Sequence, residues 1–402
     1  VNREKLLVER RLARLHDELV DQGVPLPIDT PGGYLLLEEL DYARFPPIHE
    51  GRVPRYGAIV SFGTRPQWEK LNAPTKIESD GTDLTLLRLL ADGRASFVVR
   101  GSEGRQGLVC FDRSLEFEAS AARLRADTGA FVVQRVRGGL VRVCGPDGVI
   151  SWDGVQWSFK PLAEHHAAPV RRLIPHMPPD VLSGLTELCV HWLSAGRVGA
   201  TLVLGLRDDP RGLGHLDRSG EITPPPLSVA HREHFPALLS VLGQMDRAAL
   251  VAPDGRVVAL GVGLGWSDRA EELVGITGGM RHTSARRFSF DERDAVAFVV
   301  SQDGPASVFS DGAAVTVVRV DPCRSGFPLA ILGAAAPGPR DEVTRRCPRC
   351  AQVLVVDETR FDGWEGEPEE LPCPVCGSPV VLDAYRSAIR GVYKPRSRSA
   401  DW

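Results

Sequence analysis

The 402-residue chain has no apolar run near the roughly 18 residues that a membrane-spanning helix requires, so no helical span and no membrane partner is expected. Its opening stretch, VNREKLLVERRLARLHDEL, is charged and lacks the apolar centre of a secretory signal, which points to a cytoplasmic protein. Lysine is nearly missing: five of the 48 basic residues, arginine supplying the rest, a pattern that coding bias explains. Net positive charge is missing too. At −4 the molecule as a whole has no bulk attraction for nucleic acid or anionic lipid. Walker A, a GxGxxG after a strand and a convincing Ser-His-Asp order are all absent. Cysteine is too sparse for a disulfide scaffold, with eight in so long a chain.

What is present suffices for two or three domains. The length exceeds one ordinary core, 43% of residues are apolar, and 41 glycines with 31 prolines imply many turns. Residues 3–22 read as one amphipathic helix with Leu7, Leu12, Leu15 and Leu19 on a broad face, and a Pro- and Gly-rich loop is expected from there to about residue 55. Short strands separated by Gly and Asp turns follow to about residue 160: GAIVSF, ASFVVRG, GLVCF, AFVVQRV, LVRVCG and VISWDG. From Pro178 helices interleave with strands, beginning with PPDVLSGLTELCVHWL and GATLVLGL, so a mixed central sheet flanked by helices is expected. The expected organisation is a helix and linker over 1–50, a β-rich domain over 51–163, an α/β domain over 165–335, a small cysteine-bearing domain over 340–382 and a basic tail over 383–402.

The two halves echo each other weakly. YGAIVSFG near residue 57 resembles VGATLVLG near 199, GRASFVV at 93 resembles DRAALVA at 246, and DTGAFVVQ at 127 resembles DAVAFVVS at 294. Either buried strands simply look alike, or the first half is a worn duplicate of the second. Such a copy carries nothing like RHTS between its second and third elements, so it would not bind phosphate in the same way.

Two CxxC knuckles stand near the C-terminus, Cys347 with Cys350 and Cys373 with Cys376, separated by 22 residues. Four thiolates at this spacing close a tetrahedron around Zn²⁺, and with no open position the metal is structural. A pair of redox dithiols would instead want a thioredoxin-like βαβ setting. A zinc ribbon of this kind binds nucleic acid or protein, or only braces a domain; its acidic insert DGWEGEPEE disfavours a phosphate-facing surface, whereas the basic tail favours one nearby. Cys110, Cys144, Cys189 and Cys323 are scattered and read as core. His165 and His166 read as a surface linker, and Trp152 and Trp157 as hairpin packing.

The stretch GGMRHTSARR, around residue 280, crowds phosphate-seeking groups together. Gly279 permits close backbone approach, Arg281 can grip a phosphate through two donors, and Ser284 adds a hydroxyl. A helix starting here would also turn free N–H groups toward an anion. Upstream, Asp246 lies between a helix and a strand, where a carboxylate can hold Mg²⁺ or Mn²⁺ against phosphate oxygens and help activate a ribose hydroxyl. A solvated arginine-rich loop and a capping aspartate are the plain alternatives.

Taken together, these residues resemble the catalytic domain of the diadenylate cyclases of the DNA-integrity-scanning type. The resemblance runs from about residue 179 to 320 through Gly199-Ala200, Asp246-Arg247-Ala248, Asp254-Gly255, Gly279-Met280-Arg281-His282-Thr283 and Val300-Ser301, five matches in order. It implies that two ATP molecules, one held by each of two subunits facing each other, are joined into cyclic di-AMP with release of two pyrophosphates. It also implies that the chain is a homodimer or a higher oligomer. By the same resemblance Asp246 holds the metal and aids the attacking hydroxyl, and Arg281 and Ser284 hold phosphates. Leu264 and Met280 flank the adenine, while Arg247, Ala248, Gly279, His282, Thr283 and Ser301 complete the nucleotide site. Two departures stand out: Arg247 where the family has glycine, and Thr283 where it has a second arginine. If a cation has moved from one loop to the other, Arg247→Gly is expected to abolish turnover. The alternative, which Arg247 and Thr283 favour, is a domain that keeps the nucleotide pocket without turnover and serves as a sensor or scaffold.

Overall fold

The computed structural model describes residues 3–30, 32–48, 53–62, 75–79, 83–101, 106–276, 279–323, 340–349, 353–359, 369–373, 376, 378–382 and 386–392. The chain divides into two units, Val1–Leu162 with Val320–Leu332, and Ala163–Arg319 with Gly333–Trp402.

The N-terminal unit opens with helices α1 (Arg3–Asp21) and α2 (Gly33–Arg44). Strands β1 (Tyr56–Ser61) and β2 (Thr75–Ser79), helix α3 (Leu84–Leu90), strands β3 (Ser96–Gly101) and β4 (Gln106–Cys110) and helix α4 (Glu118–Thr128) follow in order. Strands β5 (Phe131–Arg135), β6 (Val141–Cys144), β7 (Gly148–Trp152) and β8 (Trp157–Pro161) complete the run. The loop expected up to residue 55 therefore contains a helix. The stretch GYLLLEELDYAR hides its face, because three adjacent leucines blur the period and the inward positions include Glu39 and Asp41. The region read as β-rich likewise carries α3 and α4.

In the second unit α5 (Ala163–Leu173) and α6 (Pro179–Glu187) precede β9 (Ala200–Gly205), β10 (Leu216–Asp217), α7 (Phe235–Leu242), β11 (Ala248–Val251) and β12 (Val257–Leu264). Then come α8 (Asp268–Leu273), α9 (Met280–Asp291), β13 (Ala295–Val300), β14 (Ala306–Ser310) and β15 (Ala313–Val318). The helix read through residue 193 is α-helical only to Glu187; Leu188–Leu193 widen into a π-helical turn. His165 and His166 sit on α5 rather than in a linker, and His166 is buried. The four scattered cysteines lie within the folded units, all buried except the half-buried Cys110. Trp152 and Trp157 face each other across the β7–β8 hairpin, with ring centroids 6.4 Å apart.

After β15 the chain returns to the first unit as β16 (Asp321–Pro322), which pairs with β8, so this unit and not the second holds residues 320–323. The C-terminal strands β17 (Arg340–Arg346), β18 (Val353–Thr359) and β21 (Arg386–Val392) form one small sheet, and β19 (Glu369–Pro372) with β20 (Pro379–Leu382) another. Part of the segment expected as a tail is thus a strand. The expected linker near 333–342 and residues 393–402 lie almost wholly outside the described residues.

The sheet orders are β16-β8-β7-β6-β5-β1-β3-β4-β2 and β10-β12-β11-β9-β13-β14-β15. Without β8 and β16, the first is the second reversed, each strand carrying the number of its counterpart less eight. β1 runs parallel to β3 as β9 does to β11, and every other pairing among these strands is antiparallel in both units. In each, one helix separates the second and third strands, and another leads into the fifth.

Candidate functional site

In the second unit, the N-terminal ends of β9 and β11 meet the C-terminal ends of β12 and β13. β11 lies parallel to β9 (Ala249 opposite Leu202), while β12 and β13 run antiparallel (Ala248 opposite Val262; Ala200 opposite Val300). Asp246 stands just before β11, in the gap left after α7 ends at Leu242. Helix α9 begins at Met280, behind Gly279, whose side gives the helix no cap hydrogen bond. The His282 amide turns back to the Gly279 carbonyl at 3.1 Å, and no side chain caps the amides before it, so this helix start is the kind of place where an anion is well received.

Arg281, in the first turn of α9, donates from Nη2 to Asp246 Oδ1 at 3.1 Å across 35 residues of sequence. The Asp246 side chain is 98% exposed and that of Arg281 29%, so the carboxylate is open to an incoming cation while the guanidinium is anchored. Gly199 makes this possible: a Cβ there would collide with Arg281 Nη1 and crowd the Gln302 side chain. Met280 is exposed beside it, Leu264 is half-buried at the end of β12, and Ser301 begins the turn after β13. Ser284 lies one turn into α9, its hydroxyl donating back to the Arg281 carbonyl at 3.2 Å.

Other residues behave differently from their expected roles. Thr283 and Ala248 are buried, so neither displays its side chain on the surface that carries Asp246. His282 is half-buried with its ring edge-on to Phe309, and desolvation holds its pKa below the ordinary value. Of the three arginines in GGMRHTSARR only Arg281 faces the site. Arg286 is buried and donates to the Gly312 carbonyl. Arg287 binds the Val274 carbonyl and Glu271 and lies over Trp266.

Arg247 points elsewhere, to an acceptor that no linear motif could have revealed. Its Nη1 lies 3.0 Å from Asp217 Oδ2 on β10 and 3.4 Å from Ser219 Oγ. Two glycines leave room for this pair. A Cβ at Gly263 would stand 3.0 Å from the Asp217 Cβ, and one at Gly220 would stand 3.2 Å from Arg247 Nη1. Hydrogen bonds from Ser219, then the charge of Arg247, hold Asp217 below the usual carboxylate range. With two acids matched to two arginines the edge is formally neutral, so a polyphosphate bound there needs cationic help.

In the C-terminal segment the thiols of Cys347, Cys373 and Cys376 lie within 4.8 Å of one another; Cys350 is outside the described residues. Cys347 Sγ and Cys376 Sγ are 3.6 Å apart. These three thiols converge, as a sulfur ligand set for a metal would require.

Comparison with known families bears on both units. Residues 187–314 match the nucleotide-binding family described as DisA bacterial checkpoint controller nucleotide-binding, and residues 13–160 match the family described as Probable sensor domain DACNK. The second unit thus carries a stretch similar to a DisA-type nucleotide-binding domain, and the first a stretch similar to a sensor domain. No curated protein matches it. Among the described residues, no helix is long and apolar enough to cross a membrane.

Proposed function

We propose that the second unit joins two ATP molecules into cyclic di-AMP, each chain of a face-to-face pair holding one nucleotide. The observation that carries this reading is the meeting of Asp246 and Arg281 at the open amide end of α9. Asp246 would hold Mg²⁺ or Mn²⁺, which neutralises phosphate charge when bound, and would sit beside the 3′-hydroxyl that attacks. Arg281 would exchange its Asp246 contact for phosphate oxygens, with the N-terminal dipole of α9 assisting. Most of the rate would come from holding hydroxyl and α-phosphate in line.

The Asp217–Arg247 pair bears on the glycine-to-arginine departure. With its charge already matched on the β10 side, Arg247 is a poor substitute for the missing second arginine. On this reading Arg247→Gly spares turnover, the opposite of what the sequence alone suggested. The test mixes the pure chain with ATP and Mn²⁺ and seeks cyclic di-AMP by mass spectrometry. Asp246→Asn should abolish product, and Arg281→Ala should weaken ATP binding by about tenfold or more, the worth of a charge-assisted contact. ATP binding without product would favour a second reading, a sensor or scaffold, to which the burial of Thr283 at the family's arginine position lends weight.

The thiol cluster supports a structural zinc ribbon closed by Cys347, Cys350, Cys373 and Cys376, presenting a surface for a protein or nucleic acid. One zinc per chain by elemental analysis, with melting of only the C-terminal segment on chelation, is the expected result; a metal-free, fully folded chain would overturn it.

A further inference from the structure

The first unit repeats the strand order and direction of the second, and one ladder fixes how they superpose. Ala58 faces Val133 and Val60 faces Phe131 in the β1–β5 pairing; Ala200 faces Val300 and Leu202 faces Phe298 in β9–β13. These are the same partners that the sequence echo aligns, so Gly57 corresponds to Gly199 and Gln134 to Ser301. The echo between β3 and β11 does not survive: Val98 pairs with Ala58, whereas Val251 pairs with Leu204, the counterpart of Phe62, four places along. Extending both ladders to the two glycines sets Phe97 opposite Gly57 and Asp246 opposite Gly199.

We infer that the N-terminal unit is a second cyclase-type fold whose nucleotide cleft has been filled by its own side chains, so that the chain carries two such folds and a single nucleotide site. Where the second unit exposes Asp246, the first has Phe97, fully buried. Where the second has Ser301, the first has Gln134, also with no exposure. Its Nε2 donates to the Gly93 carbonyl at 2.8 Å and the Leu115 carbonyl at 2.9 Å, which stitches the loop before β3 to the segment entering α4. Their counterparts in the other unit are the loop that leads into β11 and the entry to α9. Arg142 seals the same spot, donating from Nε to Gln134 Oε1 at 2.8 Å and from Nη2 to the Glu116 carbonyl.

The loop's donors are also consumed. Asp92 Oδ1 accepts from the amides of Arg94, Ala95 and Ser96, and the Gly93 backbone lies directly against Tyr56 and Gly57. The loop from Asp92 to Ser96 therefore has no amide left for a triphosphate, since the Asp92 and Gly93 amides are bonded to Ser96 as well. The closure stands on this unit's own contacts; the placing of ATP in the other unit rests on the function proposed above.

Two measurements on the full chain test this. Photolabelling with 8-azido-ATP and Mn²⁺, followed by peptide mapping, should mark only peptides from residues 163–319 and should be lost in Arg281→Ala. Label near residues 91–118 or 134 would overturn the inference. Separately, Gln134→Leu keeps the bulk of the side chain but strands two buried carbonyls and Arg142. Its unfolding midpoint should fall by on the order of 5 °C while ATP binding stays at the wild-type level. An unshifted midpoint would show that the cleft is not held shut as described. Absence of label throughout, with the midpoint lowered, would sink the cyclase reading and leave the closed cleft standing.

Discussion

Single residues in this molecule often do work that their neighbours in sequence do not announce. Burial holds His166 down at about 3, with His165 and His191 adding to the effect, while its Nδ1 meets Thr316 Oγ1 at 2.7 Å. The folded chain therefore keeps this imidazole neutral where the unfolded chain protonates below its ordinary value of 6.5. Its contribution is fully present above 6.5 and is lost as pH falls toward 3; His282, also lowered, acts with the same sign. At pH 5 the loss from His166 alone is roughly 2 kcal/mol. In denaturant titrations at pH 7.5 and 5, His166→Gln should lose clearly less stability on acidification than the parent, and equal losses would count against this account. The Asp246–Arg281 meeting was legible beforehand because ordered motifs reported on it. Asp217 was not, since an ion pair between residues 30 apart leaves no trace in either segment, and the buried roles of Arg286 and Arg287 were invisible for the same reason.

Elements were legible wherever one face was apolar at a clean period. Strands β1, β3 to β7 and β9 fall on the apolar runs read in the sequence, while the two-residue β10 left no such run; α1 buries Leu12, Leu15 and Leu19 but leaves Leu7 exposed. Helix α2 escaped because its inward face is partly ionic. Buried Glu39 accepts from Tyr56, from Arg88 through Nε at 3.1 Å and Nη2 at 2.8 Å, and from Arg100, whose other arm reaches Glu38. Desolvation pushes the Tyr56 phenol well above its usual range, so it remains a donor to the carboxylate. This network ties α2 to β1, β3 and α3. Removing the one acceptor would leave two arginines half-sequestered without it. Glu39→Ala should therefore cost about 3–5 kcal/mol, far more than an exposed ion pair would. Urea unfolding followed by tryptophan fluorescence, with Trp152 and Trp157 reporting on this unit, would register the change. A cost below 1 kcal/mol, as at the surface, would show that the cluster is ornamental to stability.

At the scale of the whole chain, the count of sites decides how catalysis must be arranged. Joining two ATP molecules head to tail needs two nucleotide sites facing each other, and a chain with two similar folds has, on its face, both. The filled cleft of the first unit removes that route, because Phe97 and Gln134 stand where Asp246 and Ser301 would be needed. On the proposed function, turnover would then require a second chain, and the active species would be the pair. Diluting the protein below its self-association constant should make the rate fall with the square of concentration, so that specific activity drops in proportion, following mass action. Sedimentation over the same range would locate the constant independently. Were specific activity to stay constant where sedimentation finds only monomer, one chain would be supplying both nucleotides, and the first unit would have to open a site that its own glutamine and arginine now occupy.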